Sequence, residues 1–193
     1  MFDASAFYGL WAFRNTTARN LQELCDQLSQ KGLLGAAISP VEAILHPEPM
    51  TANHRFIQDV ASLKDSSFQV YPVPIIDPTL AGWKKHVVQC MDLVNGHIPA
   101  FKLLPGYHGY DMNLPSLNEL AAILIEYDIT LCLQLRMEDA RSCHSITRVP
   151  TISTAAIKDF AIHHPQLSIL VCAPYLGELG VLNDVPNISA EML

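Results

Sequence analysis

Short runs of apolar and β-branched residues alternate along the chain with longer stretches in which apolar residues recur every three or four positions. The short runs predict strands, and the longer stretches predict amphipathic helices. The predicted strands are Phe2–Ala6, Leu34–Ile38, Gln69–Ile76, Ala100–Leu104, Thr130–Leu135, Leu167–Cys172 and Val185–Ser189, and the predicted helices are Thr17–Lys31, Asn53–Lys64, Thr79–Asn95, Leu114–Tyr127 and Ser153–His164. This alternation is typical of repeated βα units around a parallel sheet.

Most of the predicted strands begin about 30 residues after the previous one, which is the size of one βα repeat. The pattern favours a TIM-type (β/α)8 barrel. An open doubly wound sheet is the alternative, but the first strand-to-helix turn holds the isolated Gly9 and no G-x-G-x-x-G motif. An eight-unit barrel takes about 250 residues. The 193 residues therefore predict one barrel domain over residues 1–193, truncated after about seven strands, with its C-terminal unit missing.

Composition and charge narrow the class of partner. Half of the residues are hydrophobic and 16% are charged, which is typical of a chain with a sizeable core. The 12 Lys+Arg against 19 Asp+Glu give a net charge of −7, which argues against nucleic acid and anionic membranes as partners. No apolar run is long enough to cross a bilayer, and no basic region opens the chain. Five cysteines without a C-x-x-C pair fit reduced thiols. We therefore expect a cytoplasmic protein that acts on a small molecule.

Polar residues follow the predicted strands where a barrel carries its active site, at the C-terminal ends of the strands. The candidates are Arg14 after the first strand, His46 after the second, Lys102 in the fourth, Tyr107 and His108 just beyond it, and Gln134, Arg136, Glu138, Asp139, Arg141 and His144 at and after the fifth. Arginines beside carboxylates can hold a substrate carboxylate or phosphate in a bidentate grip.

We assign these candidates two kinds of role. The predicted catalytic residues are His108, His144, Glu138 and Asp139, and the predicted substrate-binding residues are Arg14, His46, Lys102, Tyr107, Gln134, Arg136 and Arg141. On this interpretation His108→Ala and Arg136→Ala would abolish ligand binding and leave the fold intact. The motifs of serine hydrolases, zincins and P-loop proteins do not occur in the sequence.

Two segments, Phe2-Asp-Ala-Ser-Ala-Phe-Tyr-Gly9 and Ala100-Phe-Lys-Leu-Leu-Pro-Gly-Tyr-His-Gly-Tyr110, together with the order of strands and helices, resemble the amidohydrolase-related (amidohydrolase 2) proteins. Further blocks, Trp11–Arg14, Leu45-His46 and Arg136–Arg141 with His144, resemble an uncharacterised branch of that family. The resemblance spans nearly the whole chain. It implies a TIM barrel and a predicted metal-dependent hydrolase or decarboxylase.

The chain departs from the family at the metal ligands. Ser5 and Phe7 stand where the resemblance implies two histidines, Gln134 stands where it implies the histidine of the fifth strand, and Cys172 lies where it implies that of the sixth. A zinc site needs three or four N, O or S ligands. Either His46, His108 and His144 serve as ligands of one divalent metal such as zinc, or as acid/base groups, or the barrel has lost the metal.

These observations predict an amidohydrolase-like hydrolase that acts on a small polar or anionic substrate at the C-terminal mouth of the barrel. The alternative is a non-catalytic or metal-free barrel that has lost the family metal site, such as a small-acid binding protein, a lyase or an isomerase. A barrel with an open edge could also form a homo-oligomer through that edge.

Overall fold

The structure is a computed structural model that describes residues 1–63, 67–94, 98–139, 141 and 143–191. Within these ranges seven strands alternate with helices. The strands are β1 (Phe2–Tyr8), β2 (Gly35–Pro40), β3 (Gln69–Pro72), β4 (Ala100–Leu103), β5 (Thr130–Gln134), β6 (Ile169–Cys172) and β7 (Ile188–Glu191). The helices are α1 (Leu21–Gln30), α2 (Pro49–Ala61), α3 (Trp83–Leu93), α4 (Pro105–His108), α5 (Ser116–Glu126), α6 (Thr154–His163) and α7 (Leu176–Leu182), with 3-10 turns at Val41–Ile44 and Ser145–Thr147.

The strands form two parallel sheets, each in its own compact unit. The first unit comprises Met1–Ile76 and Lys85–Pro99 and contains the sheet β1-β2-β3. The second unit comprises Asp77–Lys84 and Ala100–Leu193 and contains the sheet β4-β5-β6-β7. Every strand in these sheets pairs with its neighbour in sequence in the parallel orientation. The predicted alternation of βα units is confirmed.

The helix boundaries follow from local capping. Asn20 caps α1, because its side chain accepts a hydrogen bond from the Glu23 amide at 2.9 Å. Helix α2 begins at Pro49, earlier than the predicted Asn53, because Glu48 caps it and proline suits the first helical position. The predicted ends of two helices, Lys64 and Asn95, lie outside the described residues.

The core of the first unit lies between the three-stranded sheet and the helices. It contains Leu21 and Cys25 of α1, Ala36 and Ile38 of β2, and Phe56 and Ile57 of α2, with Ala6 and Tyr8 of β1 packed against it. Alternate residues of a strand point to opposite faces. Tyr8 therefore lies on the helix-facing side of its sheet.

Asn53 fastens α2 to the segment that follows β3. It is fully buried, its Nδ2 donates to the Ile75 carbonyl at 2.7 Å, and its Oδ1 accepts from the Ile75 amide at 2.9 Å. The Asn53 side chain thus makes the two hydrogen bonds to Ile75 that the backbone of a neighbouring strand would otherwise make. The prolines at 72 and 74 restrict ordinary strand pairing here, so β3 ends before the predicted Ile76.

We expect Asn53→Ala to lower the free energy of unfolding by about 2–4 kcal/mol, because both backbone groups of Ile75 would be left buried without partners. Urea denaturation of the parent and the variant measures the difference. Gln58→Ala, on the exposed side of the same helix, is the control and should cost less than about 1 kcal/mol. An equal loss in both variants would contradict the role of Asn53.

The four-stranded sheet has two chemically different faces. Register pairs Lys102 with Cys132 and Gln134 with Cys172, so these four polar or thiol side chains share one face. The opposite face carries Phe101, Leu103, Leu131, Leu133, Ile169 and Val171. All four residues of the polar face are buried. Among the described residues, no helix is long and apolar enough to cross a membrane.

Candidate functional site

Lys102 and Gln134 form a buried polar pair near the C-terminal ends of β4 and β5. Lys102 is 1% exposed and Gln134 is 4% exposed. The Lys102 Nζ donates to Gln134 Oε1 at 3.4 Å, and Gln134 Nε2 donates to the Arg136 carbonyl at 2.7 Å. Burying an ammonium group costs free energy, and this cost is tolerated where the group has a function. The pair therefore marks this edge of the sheet as the candidate site.

Two cysteines border the same polar face. A hydrogen bond to the Cys172 thiol, followed by burial, raises the pKa of Cys132 well above its ordinary value, and the positive charge of Lys102 acts in the opposite direction. Both thiols are almost fully buried. A thiol with a raised pKa is a poor nucleophile, so we assign Cys132 no nucleophilic role.

Arg136 holds the segment that follows β6. Its two terminal nitrogens donate to the two carboxylate oxygens of Glu178 at 2.8 and 2.6 Å, and one of them also donates to the Ala173 carbonyl. The guanidinium carbon lies 3.8 Å from the centre of the Tyr175 ring. Ala173 adopts a positive φ of 59°, which is unusual for a residue with a side chain. The predicted substrate-gripping Arg136 thus has its donors engaged by protein groups.

The turn after β4 brings Tyr107 and His108 to the same edge. The Tyr107 hydroxyl accepts a hydrogen bond from the Met137 amide at 3.1 Å, and burial raises the pKa of this phenol. His108 is the last residue of the one-turn helix α4, which stops at Gly109 in the left-handed region, with φ 73°. Its ring centre lies 6.5 Å from that of Tyr110.

Farther along the loop after β5, the predicted residues lie at the surface. Arg141, whose side chain is 90% exposed, pairs with Asp139 at 2.8 Å and lowers the pKa of Asp139 to about 2 through its hydrogen bonds. Glu138 is half-buried. His144 is exposed, and its Nδ1 accepts from the Ile146 amide at 3.2 Å. Asp139 and Arg141 therefore form an ion pair with each other.

Two predicted substrate-binding residues belong to the first unit. Arg14 is exposed, in the loop after β1. His46 is also exposed, and its Nδ1 accepts a hydrogen bond from the Glu48 amide at 3.1 Å. His46 borders a cavity of about 270 Å³ together with Tyr8 and Arg55.

The second unit also contains a larger cavity of about 670 Å³. Its walls come from the turn after β4, including Gly109 and Tyr110, and from residues 150–153 before α6. None of the predicted site residues is part of its described lining. The Tyr110 hydroxyl is buried and has no hydrogen-bond partner among the described residues. We therefore place the candidate chemistry at the edge that carries Lys102, and not at this cavity.

The structure thus brings Lys102, Tyr107, His108, Gln134 and Arg136 to the C-terminal ends of neighbouring strands β4 and β5. Sequence reasoning missed Glu178, the partner of Arg136. The Tyr175 amide, at the start of α7, donates to Glu178 Oε2 at 2.7 Å, but Tyr-x-x-Glu is not the Ser/Thr-x-x-Glu pattern that marks a helix start in a sequence. The two glycines inside Leu176–Leu182 weaken the helical pattern of this segment, and α7 was therefore not predicted.

The residues do not fit the metal that the family resemblance implies. Within the described ranges, no three His, Cys, Asp or Glu side chains come together in a group that could hold a metal ion. His46 lies in the first unit, and His108 and His144 lie in separate segments of the second.

We expect the contribution of Glu178 to stability to disappear in acid. Burial raises its pKa, but the hydrogen bonds from Arg136 and the Tyr175 amide outweigh burial and lower the pKa below its ordinary 4.5. A lowered folded-state pKa means that the contribution is present above 4.5 and is lost as the pH falls through the folded-state value. The difference in unfolding free energy between the parent and Glu178→Gln should be constant near neutral pH and shrink below pH 4.5. A difference that does not change with pH would refute this.

Among solved structures, the chain is similar to a dihydroorotase from Campylobacter jejuni, with a TM-score of 0.59 and 17% identity over 99% of this chain and 53% of that one. It is similar to an uncharacterised TIM-barrel protein from Bordetella bronchiseptica, with a TM-score of 0.59 and 14% identity over 89% of this chain and 58% of that one. It is also similar to a 2,6-dihydroxybenzoate decarboxylase from Rhizobium, with a TM-score of 0.51 and 14% identity over 76% of this chain and 54% of that one.

These likenesses confirm the predicted α/β fold of the TIM-barrel type. Within the described residues the strands form a three-stranded and a four-stranded sheet and not one closed sheet. The chain spans little more than half the length of the solved proteins it resembles. The sequence matches no protein-family profile and no curated protein.

Proposed function

We propose that this chain belongs to an amidohydrolase-like barrel enzyme that hydrolyses a small polar or anionic substrate at the C-terminal edge of β4 and β5. The observation that carries this proposal is the buried Lys102 paired with Gln134 at the edge where TIM-type barrels place their chemistry. Two of the similar structures are named as enzymes, a dihydroorotase and a decarboxylase, which supports a catalytic role. The sequence resemblance to amidohydrolase-related proteins supports the reaction class.

In this proposal Lys102 contacts an oxygen of the substrate and Gln134 orients the lysine side chain. His108, the last residue of the one-turn helix α4 that follows β4, is the acid/base group in this proposal. Arg136 and Tyr107 act as positioning residues, because Arg136 binds Glu178 and the Ala173 carbonyl, and Tyr107 binds the Met137 amide. Catalytic roles for Glu138, Asp139 and His144, and substrate contacts by Arg14, His46 and Arg141, stay predictions.

The test is a turnover screen of the purified full chain against an amide, a lactone, a phosphoester and a carboxylate that can lose CO2. We expect turnover of at least one substrate, and we expect it to survive treatment with a chelator, since the described residues assemble no metal ligands. Metal analysis of the same sample accompanies the screen. Turnover that the chelator abolishes would contradict the expectation that the reaction needs no metal.

A non-catalytic barrel that binds a small acid is the second candidate, because the site differs from the family at its ligand positions Ser5, Phe7, Gln134 and Cys172. It predicts saturable binding of a small carboxylate by the folded chain with no turnover in the whole screen. That result would overturn the enzymatic proposal. A lyase or isomerase reaction would show instead as turnover without hydrolysis products.

A further inference from the structure

The cavity in the first unit carries three charged groups to which the proposed function assigns no role, namely Glu42, Arg55 and Asp59. It is about 270 Å³ in volume and lies where the end of β1 meets one side of α2. The charged or titratable groups in its wall are Tyr8, Glu42, His46, Arg55 and Asp59. Tyr8 belongs to the helix-facing side of its sheet. All the residues that line this cavity belong to the first unit.

The two carboxylates of the cavity are fixed by the protein. The Tyr8 hydroxyl donates to Asp59 Oδ2 at 3.3 Å, and the Leu10 amide donates to Glu42 Oε1 at 3.0 Å. Gly9, with φ 120°, allows the chain to pass against Glu42, since a Cβ at this position would overlap the carboxylate. Burial, and then the charge of Asp59, raises the pKa of the Tyr8 phenol, so the phenol stays protonated and keeps donating.

The guanidinium of Arg55 differs from the two carboxylates in its hydrogen bonding. Arg55 precedes Asp59 by one helical turn, a spacing at which arginine and aspartate commonly form an ion pair. Asp59 is engaged by Tyr8 instead, and within the described residues no oxygen accepts a hydrogen bond from Arg55. The cavity therefore presents one cation that can still take an anionic group, close to two fixed carboxylates.

This arrangement selects against simple ions. An anion drawn to Arg55 would also meet Glu42 and Asp59, and a cation drawn to the carboxylates would also meet Arg55. A ligand that carries both charges avoids both repulsions. The rest of the wall contains Thr51 and three apolar residues, Pro40, Ala52 and Phe56, and these apolar residues suit an aliphatic group. The volume is just below the range of about 300–1,000 Å³ that holds drug-sized ligands.

We propose that this cavity is a binding site for a free α-amino acid with a small aliphatic side chain. The ligand carboxylate lies on Arg55, its ammonium group lies between Glu42 and Asp59, and its side chain packs on Phe56. His46, whose Nδ1 is occupied by the Glu48 amide, borders the opening and can donate from Nε2. Arginine is suited to this task because its planar fork matches a carboxylate.

Titration calorimetry of the full chain with L-leucine and L-valine tests the proposal. We expect saturable binding with one site per chain. Two matched probes remove one charge each: 4-methylpentanoate lacks the amine, and 3-methylbutylamine lacks the carboxylate. Each should bind about tenfold more weakly or worse, since a charge-assisted hydrogen bond is lost. Equal binding of either probe, or no binding of either amino acid at millimolar concentration, overturns the proposal.

Variants locate the site. Arg55→Met and Asp59→Asn should each weaken L-leucine binding by about tenfold or more, whereas Arg19→Met, on the exposed segment before α1, should leave it unchanged. Arg55→Lys keeps the charge and should retain part of the affinity. Thermal melting of each variant checks that it is folded. Lys102→Met should bind L-leucine like the parent, because Lys102 does not line this cavity. L-leucine binding and turnover are therefore tested separately, and one proposal can fail while the other holds. Unchanged binding by folded Arg55→Met overturns the proposal.

Discussion

Lys102→Met is expected to lower turnover strongly while leaving the chain at least as stable as the parent. The lysine is 1% exposed, and its Nζ donates to Gln134 Oε1 at 3.4 Å. Replacing a buried charged group with an apolar side chain of similar volume is often neutral or stabilising, because the cost of burying the charge disappears. If Lys102 contacts the substrate, the same change should lower kcat/KM by about 100-fold or more. Loss of activity without loss of stability is the signature of a functional lysine.

Two measurements on one preparation check this result: urea denaturation for the free energy of unfolding, and initial rates on the substrate found in the screen. Lys85→Met, at an exposed position of α3, is the matched control and should change neither quantity. Lys102→Gln keeps a donor and tests whether hydrogen bonding alone is sufficient. Full activity in folded Lys102→Met would show that the site has been placed on the wrong residues.

Arg136→Ala is expected to lower the free energy of unfolding by about 2–3 kcal/mol. The side chains of Arg136 and Glu178 are 11% and 18% exposed, so the variant would leave the Glu178 carboxylate largely buried without its partner. It would also remove the donor to the Ala173 carbonyl and the contact with the Tyr175 ring. This differs from the sequence-based expectation that the variant leaves the fold intact.

A double-mutant cycle with Glu178→Gln isolates the pair. Because each single variant breaks the same interaction, the double variant should cost clearly less than the sum of the two single variants. Arg141→Ala is the control, since the Arg141 side chain is 90% exposed and its pair with Asp139 lies at the surface. Additive losses in the cycle would mean that Arg136 and Glu178 act independently.

Much of the fold could be predicted from the sequence, because each βα unit has its own local pattern, a short apolar run followed by an amphipathic stretch. Strands β1, β3, β4 and β5 begin at their predicted residues. The errors have physical causes. Glu48 and Pro49 form a helix start that lacks the usual Ser, Thr, Asp or Asn cap, and the turn before Ile188 delays β7 beyond the predicted Val185.

The candidate site could be read less well, because its contacts join residues far apart in sequence. Arg136 pairs with Glu178, and Tyr107 receives a hydrogen bond from Met137. A single sequence shows that an arginine follows a strand, but not which carboxylate meets it. Lys102 was identified from its position near the end of a parallel strand whose two faces are both covered, and in the structure its side chain is buried.

The strand order has a consequence for how the chain folds. Because the strands within each sheet follow one another in sequence order, each pairing closes a segment of only one βα unit, and the entropy lost in forming the next pairing stays small. The two hydrogen bonds between the Asn53 side chain and the Ile75 backbone also join segments that are close in sequence, namely α2 and the residues that follow β3. A chain emerging from the ribosome can therefore assemble each sheet one strand at a time, in the order of synthesis, without waiting for distant segments.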